Sequence, residues 1–76
     1  MDRARKEAVL AITDRATGKT RKIPARGIPW ASVLQRIVKA EGGDGSVGEC
    51  AAVARRLLDG EAIVTAGFHY QIDKKV

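Results

Sequence analysis

One short segment of the sequence resembles a phosphate-binding loop. Thr17-Gly18-Lys19-Thr20 matches the end of such a loop, in which backbone amides and a lysine hold phosphate groups. The motif requires a further glycine at position 13, which is Thr13 here, and a helix must follow at once. Arg21-Lys22-Ile23-Pro24 follows instead and is not a helix start. We therefore interpret the tetrapeptide as the turn of a β-hairpin.

The single cysteine and the single histidine are the other residues with reactive side chains. Cys50 falls in the first turn of a predicted helix, a setting typical of reactive cysteines, but a nucleophile also needs an oriented base. Nothing in the sequence brings His69 to it. Cys50 is therefore interpreted as a small core residue, and His69 as a strand residue that faces solvent. One cysteine and one histidine form neither a disulfide nor a structural zinc site. We expect no enzyme, no metal site and no cofactor.

The length and composition indicate one small folded domain. The chain has 76 residues, 45% of them hydrophobic, and a formal net charge of +5. We expect a single domain over residues 1–76, with frayed ends at 1–7 and 74–76. Large enzyme scaffolds, which need roughly 200 residues, are excluded. No apolar run reaches membrane-spanning length and no signal peptide is visible, so we expect a cytoplasmic protein.

The excess of positive over negative charge lies in the first third of the chain. Residues 1–26 carry eight basic and three acidic residues, whereas residues 27–76 carry six of each. Such an excess attracts nucleic acid, an acidic protein face or an anionic membrane. Alternatively, the charges only protect an edge strand from aggregation. The candidate binding residues are the cations of the predicted hairpin and of the second helix: Arg15, Lys19, Arg21, Lys22, Arg26, Arg55 and Arg56.

Apolar periodicity predicts the order β-β-α-α-β-β. Residues 8–24 form a hairpin that turns near Ala16–Gly18, with a helix over residues 2–12 as the alternative. A helix runs from Pro29 to about Glu41 and ends at Gly42-Gly43. Residues 61–73 are β, either as a hairpin that turns at Ala66-Gly67 or as one long strand. Two helices on a small antiparallel sheet give an α+β fold.

The second helix begins at a capping box, Ser46-Val47-Gly48-Glu49, and stops at Gly60. Its apolar face is predicted to contain Val47, Cys50, Ala51, Ala54, Leu57 and Leu58. Glu49, Ala52, Arg55, Arg56 and Asp59 are predicted to face away from the core.

The second half of the chain resembles a winged-helix domain. The resemblance rests on two helices across a short glycine turn, and on residues 57–64 leading into Phe68-His69-Tyr70. Within that superfamily the chain is similar to the DEP subgroup, which places a β-hairpin before the second helix, as residues 10–15 would. The Val-Asp-Trp-Leu run of DEP domains is replaced here by Val33-Leu34-Gln35-Arg36. The resemblance implies binding to DNA, protein or membrane and does not choose among them.

Two functions fit these observations. The first is a non-catalytic nucleic-acid-binding module that holds phosphates through the basic hairpin, as in a small bacterial or phage regulator. The second is a protein-binding adaptor or a phage-type, anti-CRISPR-like inhibitor that docks on an acidic surface. In either case the aromatic residues Trp30, Phe68 and Tyr70 are candidate anchors, with a place in the core as the alternative. A membrane surface ranks last among the partners, and homo-oligomerisation stays open.

Overall fold

The computed structural model describes residues 8–73. Its elements are β1 (Val9–Asp14), β2 (Thr20–Pro24), α1 (Gly27–Ala40), α2 (Val47–Leu58), β3 (Ile63–Val64) and β4 (Phe68–Asp73). The α+β class and the predicted element order are confirmed. A helix extending to residue 12 is wrong, because residues 9–12 belong to β1. The predicted frayed ends lie outside the described residues.

The four strands form one antiparallel sheet in the order β2-β1-β4-β3. The first and last hairpins meet because β1 pairs with β4 along its whole length. Successive side chains of a strand point to opposite faces. One face is covered by the helices and carries buried Leu10, Ile12, Tyr70 and Ile72. We call the other the open face; His69, whose neighbours Phe68 and Tyr70 face the helices, lies half-buried on it.

Both hairpins turn where the sequence predicts. Gly18 has φ +78°, and its amide donates to the carbonyl oxygen of Asp14 at 2.7 Å. A left-handed conformation of this kind strongly favours glycine. At the second turn, the amide of Thr65 donates to the carbonyl oxygen of Phe68 at 2.8 Å, and Ile63 pairs with Tyr70. Residues 61–73 are therefore a hairpin and not a single strand.

Helix α1 packs an apolar stripe on the sheet, as its periodicity predicts. Its buried residues recur at helical spacing: Trp30, Val33, Leu34, Ile37 and Val38. The helix ends at Ala40, and the amide of its C-cap residue Glu41 donates to the carbonyl oxygens of Ile37 and Val38. Gly42 follows with φ +93°. Because its buried residues hold α1 against the sheet next to β2, the exposed side chains of α1 have defined positions at the border of the sheet.

Helix α2 begins as predicted, but its buried face differs from the prediction. The capping box is present, with the Ser46 hydroxyl accepting from the amide of Glu49 at 3.2 Å. Val53 and Leu57 are buried, whereas Val47 is 86% and Leu58 47% exposed. Helix α1 packs against α2, and Val38 near the C-terminal end of α1 lines a cleft together with Val53. The core therefore includes the side of α2 that carries Val53, and Val47 and Leu58 stay exposed.

Among residues 8–73, neither helix combines the length and hydropathy needed to cross a membrane.

Candidate nucleic-acid interface

A groove of about 500 Å³ lies beside the turn of the first hairpin. Three cationic residues line it, Lys19, Arg21 and Arg36, against a single carboxylate, Asp14. None of these three cations forms an ion pair with a carboxylate of residues 8–73. The groove is therefore a concave surface with unneutralised positive charge, which attracts anions.

The strand register places Arg21 in the groove. Arg21 pairs with Ile12 of β1, and Ile12 faces the helices, so Arg21 points to the same face. Because β2 is an edge strand, this side chain stays exposed at the border of the helical layer. Lys19 precedes β2, and its amide donates to the hydroxyl of Thr17 at 3.2 Å. Two of the cations predicted from sequence therefore share one site.

Arg36 reaches the same groove from α1 and was not among the predicted site residues. It is exposed and lies next to the buried stripe of the helix, on the side that borders β2. The helical period shows that Arg36 lies outside the core stripe. Which element it would face depends on how α1 packs on the sheet, and no local sequence signal carries that information.

The inner wall of the groove is apolar and aromatic. Ile12 and the half-buried Phe68 line it, and the Phe68 ring lies 6.0 Å from the Tyr70 ring, centroid to centroid. Tyr70 is 2% exposed, and burial raises the pKa of its hydroxyl. The charge of Arg36 and a hydrogen bond with Thr65 oppose this rise in the Tyr70 pKa. Arg36 and Phe68 thus line the same groove.

Arg15 ties the first turn to the second. Its guanidinium donates to the carbonyl oxygen of Thr65 at 2.8 Å, and its amide donates to that of Gly67 at 3.0 Å. Both hairpin turns are thereby held at one end of the sheet. Arg15 has a structural contact as well as a charge, and a guanidinium retains further donors after one hydrogen bond.

Lys22 and Arg26 lie away from the groove. Lys22 follows Arg21 in β2, points to the open face and forms an ion pair of 2.7 Å with Asp73. Arg26 is the N-cap of α1 and stands beyond the end of β2 that is remote from the turn. The predicted hairpin cations therefore do not form one cluster, because strand alternation and strand length separate them.

The two arginines of α2 also lie apart from the groove. Arg56 is held by two carboxylates, Glu41 at 3.1 Å and Glu61 at 2.8 Å. Its hydrogen bond to Glu61 chiefly raises the pKa of the guanidinium, with Glu41 adding to the effect against partial desolvation. Arg55 is exposed and lines a separate shallow surface with Leu58 and Asp59. Arg56 therefore links α2 to Glu41 and Glu61, and Arg55 lies outside the groove.

Of the three candidate anchors, only Phe68 has accessible surface at a concave site. Trp30 is 9% and Tyr70 2% exposed, so both belong to the core and neither offers a ring to a partner. Their placement follows from periodicity, since each sits on the buried face of its helix or strand. The anchor hypothesis is thereby reduced to Phe68.

The side chain of Glu49 binds the amides of the loop before α2 and places a negative charge beside the start of that helix. Oε1 of Glu49 accepts from the amides of Asp44, Gly45 and Ser46 at 3.0–3.1 Å. Hydrogen bonds from Ser46 are the main reason that the pKa of Glu49 is lowered, and partial desolvation opposes them. A carboxylate already placed at a helix N-terminus repels an external anion there. The groove is thus the better anion site of the two.

The carboxylates collect on the other side of the molecule. Five of the seven in residues 8–73 fall on or next to α2: Glu41, Asp44, Glu49, Asp59 and Glu61. The three groove cations lie instead along β2 and the flank of α1 that borders it. Because α2 also carries Arg55 and Arg56, the described surface is positive along β2 and weakly acidic around α2.

No family model, curated protein or solved structure matches this chain. The resemblance to winged-helix domains stays a prediction. Residues 8–73 also contain no group of three or more His, Cys, Asp or Glu side chains that could hold a metal ion. Cys50 is half-buried beside the core, and its Sγ lies 3.9 Å from the carbonyl oxygen of Gly45. The assignment of function therefore rests on the groove.

Proposed function

We propose that this protein is a non-catalytic nucleic-acid-binding module of the cytoplasm that holds phosphates in the groove beside its first hairpin. The observation that carries the proposal is the convergence of Lys19, Arg21 and Arg36, from two elements, on one concave surface. Arginine and lysine on a shared surface neutralise successive phosphates and release counterions. The contacts are to the backbone of the nucleic acid, so the binding is independent of sequence.

The geometry of α2 supports this mode over readout of bases by a recognition helix. Such a helix reads bases chiefly from its N-terminal residues. In α2 these include Glu49, whose carboxylate is already engaged by the amides of the preceding loop. The hairpin and the flank of α1 provide the positive surface instead.

A salt series measures the number of phosphates that the groove neutralises. Fluorescence anisotropy with a random DNA duplex should give a log–log slope of about −0.9 for each neutralised phosphate. Arg21→Gln and Arg36→Gln should each reduce the steepness by about 0.9. Arg55→Gln is the matched control, since it removes the same charge from an exposed arginine outside the groove. It should leave the slope unchanged.

Two results would refute the proposal. The first is the absence of binding at the lowest salt concentration. The second is an equal effect of Arg55→Gln and Arg21→Gln, because net charge alone, and not the groove, would then explain the binding.

A protein partner is the second candidate, and the exposed apolar residues of α2 favour it. Val47 and Leu58 are exposed on this helix, on the part of its apolar arc that the core leaves uncovered. Exposed apolar surface of this kind is typical of protein interfaces. This candidate predicts no binding to DNA, and a loss of partner binding in Leu58→Asp that exceeds the loss in Arg21→Gln.

A further inference from the structure

The groove offers more than a phosphate site needs. Binding of phosphate requires cations and hydrogen-bond donors, which Arg21, Arg36 and Lys19 supply. It makes no use of an apolar wall, yet Phe68 and Ile12 form one. An aromatic ring and cations in the same groove fit a ligand that has both a flat apolar part and an anionic part, as a nucleotide does.

We infer that the groove takes one unpaired nucleotide of a single-stranded nucleic acid. Its base lies against the ring of Phe68, and the two phosphates that flank it in the strand pair with Arg21 and Arg36. The inference rests on the proposed nucleic-acid binding and narrows it to a class of substrate. A volume of about 500 Å³ is within the range of sites that enclose small ligands, so one nucleotide unit fits.

The recessed position of Phe68 explains the preference for a single strand. In a duplex the bases stack on one another inside the helix, and the outer surface presents phosphates and sugars. Such a surface meets the cations at the border of the groove but brings no base to its inner wall. A base of a duplex could enter only by flipping out of the stack, which costs the energy of its pairing and stacking. An unpaired base loses no pairing energy when it enters. Arg21 and Arg36 therefore serve both forms, and Phe68 serves the single strand alone.

The test compares a labelled oligodeoxythymidine of about ten nucleotides with its duplex at one salt concentration. The wild-type protein should bind the single strand about tenfold more tightly through the stacked base. Phe68→Leu keeps an apolar side chain against the core but removes the aromatic face. It should lose about tenfold in affinity for the single strand and less than about twofold for the duplex. Arg21→Gln is the matched control and should weaken both forms.

A second measurement needs no variant and so does not depend on folding. The wild-type protein is titrated with a strand of the same length in which the bases are replaced by abasic sugars. Loss of the bases should weaken binding about tenfold at an unchanged number of phosphates. Thymidine monophosphate is added as a competitor, and a single phosphate unit should not displace the strand at micromolar concentration.

The outcomes distinguish stacking of a base on Phe68 from the proposed binding of phosphates in the groove. If the abasic strand binds as well as oligodeoxythymidine, or if Phe68→Leu weakens both forms equally, the base does not contact Phe68. The inference then fails while phosphate binding stands. Displacement by micromolar thymidine monophosphate would overturn the inference in favour of a free nucleotide. If no nucleic acid binds even at low salt, the proposed function fails first, and the inference falls with it.

Discussion

The guanidinium of Arg15 donates to the carbonyl oxygen of Thr65, fifty positions away in sequence, at 2.8 Å. The contact joins the turns of the two hairpins at one end of the sheet, and Thr65 also hydrogen-bonds Phe68 through its hydroxyl and its amide. The groove and the second turn are therefore mechanically connected, although they come from opposite ends of the chain.

Removal of the Arg15 contact should lower stability. Arg15→Met deletes the hydrogen bond to Thr65, and an exposed bond of this type contributes about 0.5–1 kcal/mol. In a chain of this size, the midpoint of thermal unfolding should fall by about 2–8 °C. Lys19→Met is the control, because it removes the same charge from the same turn without an ion pair or a hydrogen bond of its side chain among the described residues. Equal midpoints for the two variants would show that the contact contributes nothing.

Two glycines before and within α2 should respond in opposite directions to the same substitution. A Cβ at Gly43 would lie 2.6 Å from both Oε2 of Glu49 and Cγ1 of Val38, so Gly43→Ala requires both contacts to be relieved. The expected cost is about 1–3 kcal/mol. A Cβ at Gly48 meets nothing within 4 Å, and alanine in a helix should add about 0.5–1 kcal/mol.

Urea unfolding of the two alanine variants measures the difference. Trp30 is the only tryptophan and is buried, so its emission reports loss of the core. Because both substitutions restrict the unfolded chain equally, the gap between their midpoints isolates the folded-state contact. A Gly43→Ala protein as stable as Gly48→Ala would contradict the close approach of the loop to Val38.

The neighbouring leucines at the end of α2 provide a test of how this helix is turned. Leu57 is fully buried and Leu58 is 47% exposed. Leu57→Ala should cost about 2–5 kcal/mol, which takes most of the stability of a small domain. Leu58→Ala should cost less than about 1 kcal/mol. Similar unfolding midpoints in urea would mean that α2 is rotated from the orientation described above.

Acid should act on the capping box through Glu49. The hydrogen bonds from Ser46 lower the pKa of this carboxyl in the folded protein. A folded-state pKa below the unfolded value adds stability above the unfolded value, and this stability is lost as the pH falls through the folded-state pKa. The wild-type melting temperature should therefore drop more steeply than that of Glu49→Gln as the pH is lowered from about 5.

The comparison of melting temperatures needs one control, since the carboxyl of Glu61 is also shifted down in pKa by Arg56. Glu61→Gln removes that contribution and keeps the capping box. If Glu49→Gln shows the same acid dependence as the wild-type protein, the carboxylate does not stabilise the loop through its charge.

Most elements were predictable because their signals are local. A glycine at the tip of the first hairpin and the Ser46–Glu49 box each fix a few backbone angles without help from distant residues. The second hairpin was not decided by sequence, because the alternation of residues 61–73 also fits one long strand. The long-range relationships were not predictable in this way. Arg36 joins Arg21 only because α1 packs along β2, and Arg56 leaves the candidate site only because Glu41 and Glu61 lie within reach. Likewise, the apolar face of α2 is wider than the surface that covers it. The apolar pattern therefore does not show which of Val53 and Leu58 is buried.

Within residues 8–73, the separation of cations along β2 from carboxylates around α2 produces an electric dipole. In the field of a polyanion, such a dipole experiences a torque while the two molecules are still apart. The protein would be rotated with β2 foremost before any side chain makes contact, so fewer collisions arrive with the wrong side. Added salt would weaken this alignment together with the attraction, because both act over the same screening length.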